Sequence, residues 1–369
     1  MAKGKRATLS DVAKSSNVSK STVSQYLNHR YEYMSAETKT RIEAAIDELG
    51  YQPNILARSL KQKTTATIGV IVANLLHRFS TEVTRAIEDY CHHHDYHVII
   101  CNTDEDPSKE KKYVEMLIAK QVDGLIIVPT CNNMELYQRF VDDHYPVVFL
   151  DRKMEGLPLP TVVMDNIGSS YICTSHLIAH GHERIAIMTP PRHISSRAER
   201  IEGYEAALRD HGIPIRPEYI KSTRIDEAIP ELARMLTLED RPTALLAGND
   251  LILMEVLSYM MENGIRFPED IALVLIDDVN FTDFLPSPLT TFEHPVGRMG
   301  RKAAEMLLDQ IKSGQTTASP DSQLVVFKGS LHVRKSCGGP LPEPLALDMR
   351  GEEENGTDSN ERQADEGQL

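Results

Sequence analysis

From Thr67 onward, short apolar runs rich in β-branched residues alternate with longer stretches whose apolar positions recur every three to four residues. An unbroken run of four to six such residues marks a buried strand, and the longer period marks a helix packed on one face. Read this way, strands at Ile68–Ala73, His97–Ile100, Gly124–Val128 and Val147–Leu150 alternate with helices at Ser80–His93, Ser108–Lys120 and Met134–Asp143. A second group opens with a strand at Thr161–Met164 and a helix at Gly168–His180. It continues through strands at Ile185–Met188, Ala244–Ala247 and Ala272–Ile276, with helices at Arg197–Asp210 and Asp250–Asn263. Gly300–Lys312 adds a helix and Leu324–Phe327 a late strand. Such β-α alternation predicts parallel sheets with helices on both faces. Two groups predict an α/β body of two Rossmann-like lobes with a cleft between them.

Ahead of this body the pattern is all helical. Thr8, with Asp11 three residues on, makes a capping-box start for a first helix. Ser19 is placed to cap a second, running through Asn28, and Ser35 a third, which Gly50 stops. Pro53–Lys61 is a short helical pattern, marginal in isolation, and Gln62–Thr65 reads as a linker. The expected divisions are a small all-α domain at 1–52, a hinge helix and linker at 53–65, the two-lobed body at 66–338 and an acidic, disordered tail at 339–369.

Composition narrows the function classes. At 41 % hydrophobic residues, a sizeable core is available. No apolar run approaches the roughly 20 residues that cross a bilayer. No apolar signal segment follows the basic N-terminus, so a cytoplasmic protein without a membrane partner is expected. Cys91, Cys101, Cys131, Cys173 and Cys337 are scattered without a C-x-x-C pair and are expected to be free thiols. The net charge of −14 is unevenly spread: residues 1–63 hold 11 Lys/Arg against 6 Asp/Glu, a net of +5. A basic module on an acidic body places any nucleic-acid contact at one end.

Leu9–Asn28 carries that contact. Val12, Ala13, Val18, Val23 and Leu27 give two helices an apolar seam, and the second helix then presents Lys20, Ser21 and Gln25 outward. This is where a recognition helix meets base edges in a major groove. Glutamine pairs with adenine and lysine reaches guanine. Thr22, Asn28 and the helix N-terminus suit phosphates. A three-helix bundle for protein contact would share the seam.

The stretches Asp11-Val12-Ala13, Val18-Ser19, Thr22-Val23-Ser24, Asn28 and, later, Tyr51, Pro53, Asn54, Ala57 and Leu60 resemble the N-terminal pattern of the LacI/GalR family of bacterial regulators. The resemblance runs to about residue 335. It implies a homodimer on a pseudo-palindromic double-stranded operator. It also implies a hinge helix in which Leu60, beside Ala57, wedges into the minor groove. The physics agrees, since an apolar wedge unstacks a base step and a marginal helix folds on its partner. Asn54 and Arg58 belong to the same DNA-contacting segment.

The body resembles the family's effector domain, which is similar to periplasmic sugar-binding proteins. Ligands of such sheets lie beyond the carboxyl ends of the strands. The residues there are Asn74, leading into Phe79, then Asp151, Asn249 and Asp277. Asn/Asp acceptors with an aromatic face suit a sugar. In Arg197-Ala-Glu-Arg200-Ile-Glu-Gly-Tyr204, Arg200 matches the family's arginine before a G-Y pair, and Arg197 lies on the same helical face. Two guanidiniums suit a carboxylate, which points to a sugar acid. In detail the chain looks most like the regulators of 2-keto-3-deoxygluconate type. Arg197 could instead pair with Glu202 or Glu205 on the surface. His294 falls at a chain crossover, where the family pattern more often has glutamine. His92-His93-His94 reads as a solvated helix end rather than a metal site, because neighbouring helical residues point apart. No metal or cofactor is expected.

The reading is a DNA-binding repressor of carbohydrate or sugar-acid genes, controlled by a sugar-derived effector or by a protein corepressor. A sugar receptor without DNA function fits the basic helical end poorly. An enzyme is disfavoured, since no G-x-G-x-x-G follows the first strand and no Walker, H-E-x-x-H or G-x-S-x-G motif occurs.

Overall fold

A computed structural model describes residues 7–52, 64–314 and 324–338. The predicted hinge helix and the acidic tail lie outside the described residues. Three helices open the chain: α1 (Leu9–Ser15), α2 (Lys20–Leu27) and α3 (Ala36–Leu49). Each starts on the predicted cap, with the Thr8–Asp11 capping box closed in both directions and Gly50 ending α3 in the left-handed conformation. Val12, Ala13, Val23, Ile42, Ala45 and Tyr51 bury a small core between the helices.

The body holds two six-stranded sheets. The first contains β1 (Thr67–Val72), β2 (His97–Asn102), β3 (Gly124–Ile127), β4 (Val147–Leu150), β5 (Thr161–Met164) and the late β11 (Leu324–Phe327), in the order β11-β5-β4-β3-β1-β2. Every pairing in it is parallel. The second contains β6 (Ile185–Thr189), β7 (Ile220–Ser222), β8 (Ala244–Ala247), β9 (Ala272–Leu275), β10 (Thr290–Glu293) and β12 (Ser330–His332), in the order β12-β10-β9-β8-β6-β7. Only β12 runs antiparallel there.

Helices cover both faces of each sheet. In the first lobe, α4 (Arg78–His93) packs one face with α11 (Val296–Ser313), and α5 (Pro107–Ala119) with α6 (Met134–Asp142) pack the other. In the second, α7 (Asn166–Ala179) and α8 (Ser195–Asp210) pack one face, and α9 (Ala228–Leu236) with α10 (Asp250–Glu262) the other.

Three expected elements therefore change lobes. Thr161–Met164 closes the first sheet instead of opening the second, and both Gly300–Lys312 and Leu324–Phe327 return to the first lobe. The chain crosses between lobes three times, after β5, after β10 and after β11. Local periodicity identifies a strand but not its sheet, because pairing depends on long-range contacts. The periodicity also leaves out β7, α9, β10 and β12. Two of these strands are only three residues long, and α9 carries Pro230 in its first turn, where proline is tolerated.

Candidate effector cleft and DNA-reading helix

In the parallel part of each sheet, strand order reverses beside the first strand, between β1 and β3 in one lobe and between β6 and β8 in the other. Ligands of such sheets gather at that switch point, beyond the strands' carboxyl ends. Here the two switch points line one cavity of about 60 Å³: Ala73 and Val128 come from the first lobe, Pro190 and Gly248 from the second. Phe79, Asp151, Arg197, Arg200, Asn249 and Asp277 line the same cavity. Asn74 does not; its Oδ1 accepts from the Leu76 amide at 2.9 Å and shapes the turn into α4. His294 lines a smaller adjoining cavity of about 40 Å³, shared with Phe79, Asp277 and Asp278.

Arg200 is placed by a close crossing of α7 and α8. A Cβ at Gly203 would collide with the Ile167 carbonyl, so this position of α8 has to be glycine for the helices to meet. The buried Arg200 guanidinium is then shared among three protein acceptors. Its Nε donates to Asn166 Oδ1 at 3.1 Å, Nη1 to the Gly248 carbonyl, and Nη2 to Asp277 Oδ1 at 3.2 Å. Burial, opposed by Arg200, pushes the Asp277 carboxyl up to about 6. His294 is buried, its Nε2 is 4.0 Å from Asp277 Oδ1, and neither ring nitrogen has a hydrogen-bond partner among the described residues. Burial and then Arg200 push His294 down to about 3, so it is a neutral imidazole.

Arg197 pairs neither with Glu202 nor with Glu205. Its Nη2 donates at 2.6 Å to Glu105 Oε1, across the cleft. Glu105 also receives Arg152, whose Nη1 and Nη2 lie 2.8 and 2.6 Å from its two oxygens. Arg152 Nε stands 3.6 Å from Asp151 Oδ2, and Asp151 itself takes the left-handed conformation at φ 69° just after β4. Lys153 Nζ reaches Glu199 at 2.7 Å on the same side. On the opposite side Asp250 Oδ1 meets His77 Nδ1 at 2.6 Å, and Arg78 Nη1 donates to Asp278 at 3.1 Å. Asn249 Oδ1 caps α10 through the Ile252 amide at 2.9 Å. Polar pairs thus flank the cavity on both sides and join the two lobes.

Sequence reasoning missed Glu105, Arg152 and His77. Arg152 directly follows the strand-end Asp151 and was within reach of the same rule. Glu105 lies on a loop without periodicity, and its partner is 92 residues away.

At the other end, Lys20, Ser21 and Gln25 are exposed on α2 as expected. Ser21 and Thr22 turn their hydroxyls to Ser19 Oγ, at 2.6 and 2.8 Å, and Asn28 Nδ2 donates to the Ser24 carbonyl at 2.6 Å. Asn54, Ala57, Arg58 and Leu60 lie outside the described residues. All five cysteines are free. The His93 and His94 rings bond carbonyls of their own helix, at Asp89 and Tyr90. No described helix is long and apolar enough to cross a membrane.

The comparisons match both ends. Residues 8–54 match the family of bacterial regulatory proteins of lacI type, and residues 65–329 the periplasmic binding proteins and sugar binding domain of the LacI family. The chain belongs to the LacI family. A probable HTH-type transcriptional regulator, EndR of Paenibacillus polymyxa, is 46 % identical over 89 % of this chain and 98 % of its own length. The PurR repressor of Aliivibrio salmonicida is 34 % identical over 83 % of this chain and 92 % of its own. Among solved structures, the lac repressor dimer bound to operator and the anti-inducer ONPF is similar at a TM-score of 0.79 and 27 % identity, covering 90 % of this chain and 99 % of that one. A CelR–cellobiose complex is similar at 0.67 and 25 %, covering 90 % and 100 %. This LacI-family chain is a DNA-binding transcriptional repressor with a periplasmic-binding-protein-like body, and its relatives are regulators rather than enzymes.

Proposed function

We propose that this repressor acts as a homodimer on a pseudo-palindromic operator and is controlled by a sugar acid, such as 2-keto-3-deoxygluconate, bound between the lobes. One observation carries the effector class: three guanidiniums, of Arg152, Arg197 and Arg200, line a single cavity together with Asp151, Asn249 and Asp277. Arg200 is occupied by protein acceptors and holds the framework, so the carboxylate falls to Arg197, only one of whose nitrogens is engaged among the described residues. Carboxylates and the Asn249 amide then face the hydroxyls, and Phe79 the apolar side of the ligand. Residues 1–52 read DNA through Lys20, Ser21, Thr22, Gln25 and Asn28, and residues 53–65 form the hinge, with Asn54, Ala57, Arg58 and Leu60 on the duplex. The dimeric, operator-bound lac repressor supports this arrangement.

A neutral sugar is the second reading. Each cavity guanidinium already has a carboxylate near it, which lowers the positive charge left for an anion, and the CelR relative is named for its complex with cellobiose.

Thermal unfolding of the full chain with matched pairs, galacturonate against galactose and glucuronate against glucose, plus 2-keto-3-deoxygluconate, separates the two. A ligand at 100 times its Kd adds about 2.7 kcal/mol to the stability of the body. A shift with acids alone supports the sugar-acid reading. A shift with neutral sugars alone discards it and keeps the regulator. No shift with any points to an untested small molecule or a protein corepressor.

A further inference from the structure

Glu105 is held in an unusual place. It and Asp104 both take the left-handed backbone conformation, at φ 61° and 53°, which is uncommon for non-glycine residues. The loop is fixed in that shape. The Glu105 amide donates to the Ala73 carbonyl at 3.0 Å, and Asp104 is tied to Asn102 Nδ2 at 2.7 Å and to Lys109 Nζ at 2.6 Å. The result aims one carboxylate between two guanidiniums of different lobes. Arg152 has a second anchor besides Glu105, since its Nη1 also donates to the Pro129 carbonyl at 2.8 Å.

The two arginines line the cavity, whereas Glu105 is not among its lining residues. The arginine side chains are 4 % and 14 % exposed, that of Glu105 30 %. A fork of guanidinium donors matches any planar carboxylate. A second carboxylate arriving from the cavity side would share the same positive charges and repel the first.

We infer that Arg152 and Arg197 form an anion seat of which Glu105 is the built-in occupant, and that an acidic effector binds by exchanging with Glu105, which thereby sets how much effector is needed. The inference rests on the sugar-acid reading and adds to it the seat and its competitor. Burial alone would raise the Glu105 carboxyl, but Arg152 and Arg197 outweigh burial and hold it at about 2. Glu105 therefore stays ionised under physiological conditions, and only another anion can replace it. Release of Glu105 does not have to open the lobes. Lys153 still meets Glu199 at 2.7 Å, and its amide still donates to Ser195 Oγ at 3.0 Å.

The test is calorimetric titration of the full chain and of Glu105→Gln with galacturonate, galactose and 2-keto-3-deoxygluconate. Glutamine keeps the shape and removes the charge, and a melting curve without ligand checks that the variant folds. The expected result is acid binding at least ten-fold tighter in the variant, with galactose unchanged. A second variant, Arg197→Lys, keeps the charge but loses the fork, and is expected to bind acids more weakly than the native chain. Native binding of acids with equal or weaker binding by Glu105→Gln would overturn the exchange and leave the sugar-acid reading standing. Binding of galactose alone, by both chains, would overturn both.

Discussion

Arg200 shows how one side chain serves as framework and ligand wall together. Its guanidinium joins Asn166 at the start of α7, the carbonyl after β8 and the carboxylate after β9. Arg200→Ala would leave Asp277 and a carbonyl uncompensated in a buried site, which costs about 3–5 kcal/mol. The expected outcome is that much loss in denaturant unfolding of the body, together with loss of the effector response. Arg200→Lys is expected to recover only part, because one ammonium cannot fork to three acceptors. His294 gives a pH signature. The folded imidazole stays neutral down to about 3, while its ordinary value is 6.5, so below that value the unfolded chain binds the extra proton. The stability this contributes is complete above 6.5 and is lost as pH falls. Asp277, raised to about 6, has the opposite sign and takes up its proton earlier in the folded chain, which offsets part of the loss. His294→Gln removes the first effect and keeps the second. Its melting midpoint is expected to fall less than the native one between pH 7 and 4.5; parallel profiles would refute this assignment.

At the scale of elements, α4 starts without a cap of its own, since His77 at its N-cap makes no side-chain bond to the helix. The cap comes from the other lobe: Asp250 Oδ2 accepts from the Arg78 amide at 2.8 Å, and its Oδ1 meets His77. A helix cap is worth about 1 kcal/mol, and this one exists only while the lobes are together. Asp250→Ala is therefore expected to populate a more open body. Small-angle scattering of the unliganded protein would then show a larger radius of gyration than native, and an equal radius would count against the cross-lobe cap. The same elements show what the sequence makes legible. Val147–Leu150, Thr161–Met164, Ala244–Ala247 and Leu324–Phe327 match their strands to the residue, because each is a short apolar run with clear ends. The caps at Thr8, Ser19 and Ser35 are equally local signals. Strand-end residues Asp151, Asn249 and Asp277 were found by a rule that ties chemistry to topology. Pairings such as Glu105 with Arg197, or Asp250 with His77, join residues 92 and 173 positions apart and leave no local trace. For the same reason, the crossings after β5 and after β11 were not visible, whereas the one after β10, which returns α11 and β11 to the first lobe, falls at His294, where the family resemblance places a crossover.

Across the whole molecule, a basic reading module of net +5 over residues 1–63 precedes a body of net −12 and a C-terminal stretch, residues 339–369, of net −7. Control of one end by the other requires a ligand that binds the two arrangements of the body unequally. The cavity meets the structural requirement, since both lobes supply its walls and its rim bonds run between them. Such coupling is typically about 1–3 kcal/mol, or roughly 5- to 150-fold in affinity, and is reciprocal. The most direct measurement is fluorescence anisotropy of the full chain on a labelled duplex that it has itself selected from a random pool, with and without saturating 2-keto-3-deoxygluconate. The expected result is at least five-fold weaker duplex binding with the sugar acid, and sugar-acid binding weakened by the same factor when duplex is saturating. Duplex affinity that is identical with the cavity filled and empty would contradict control of DNA binding from the cleft.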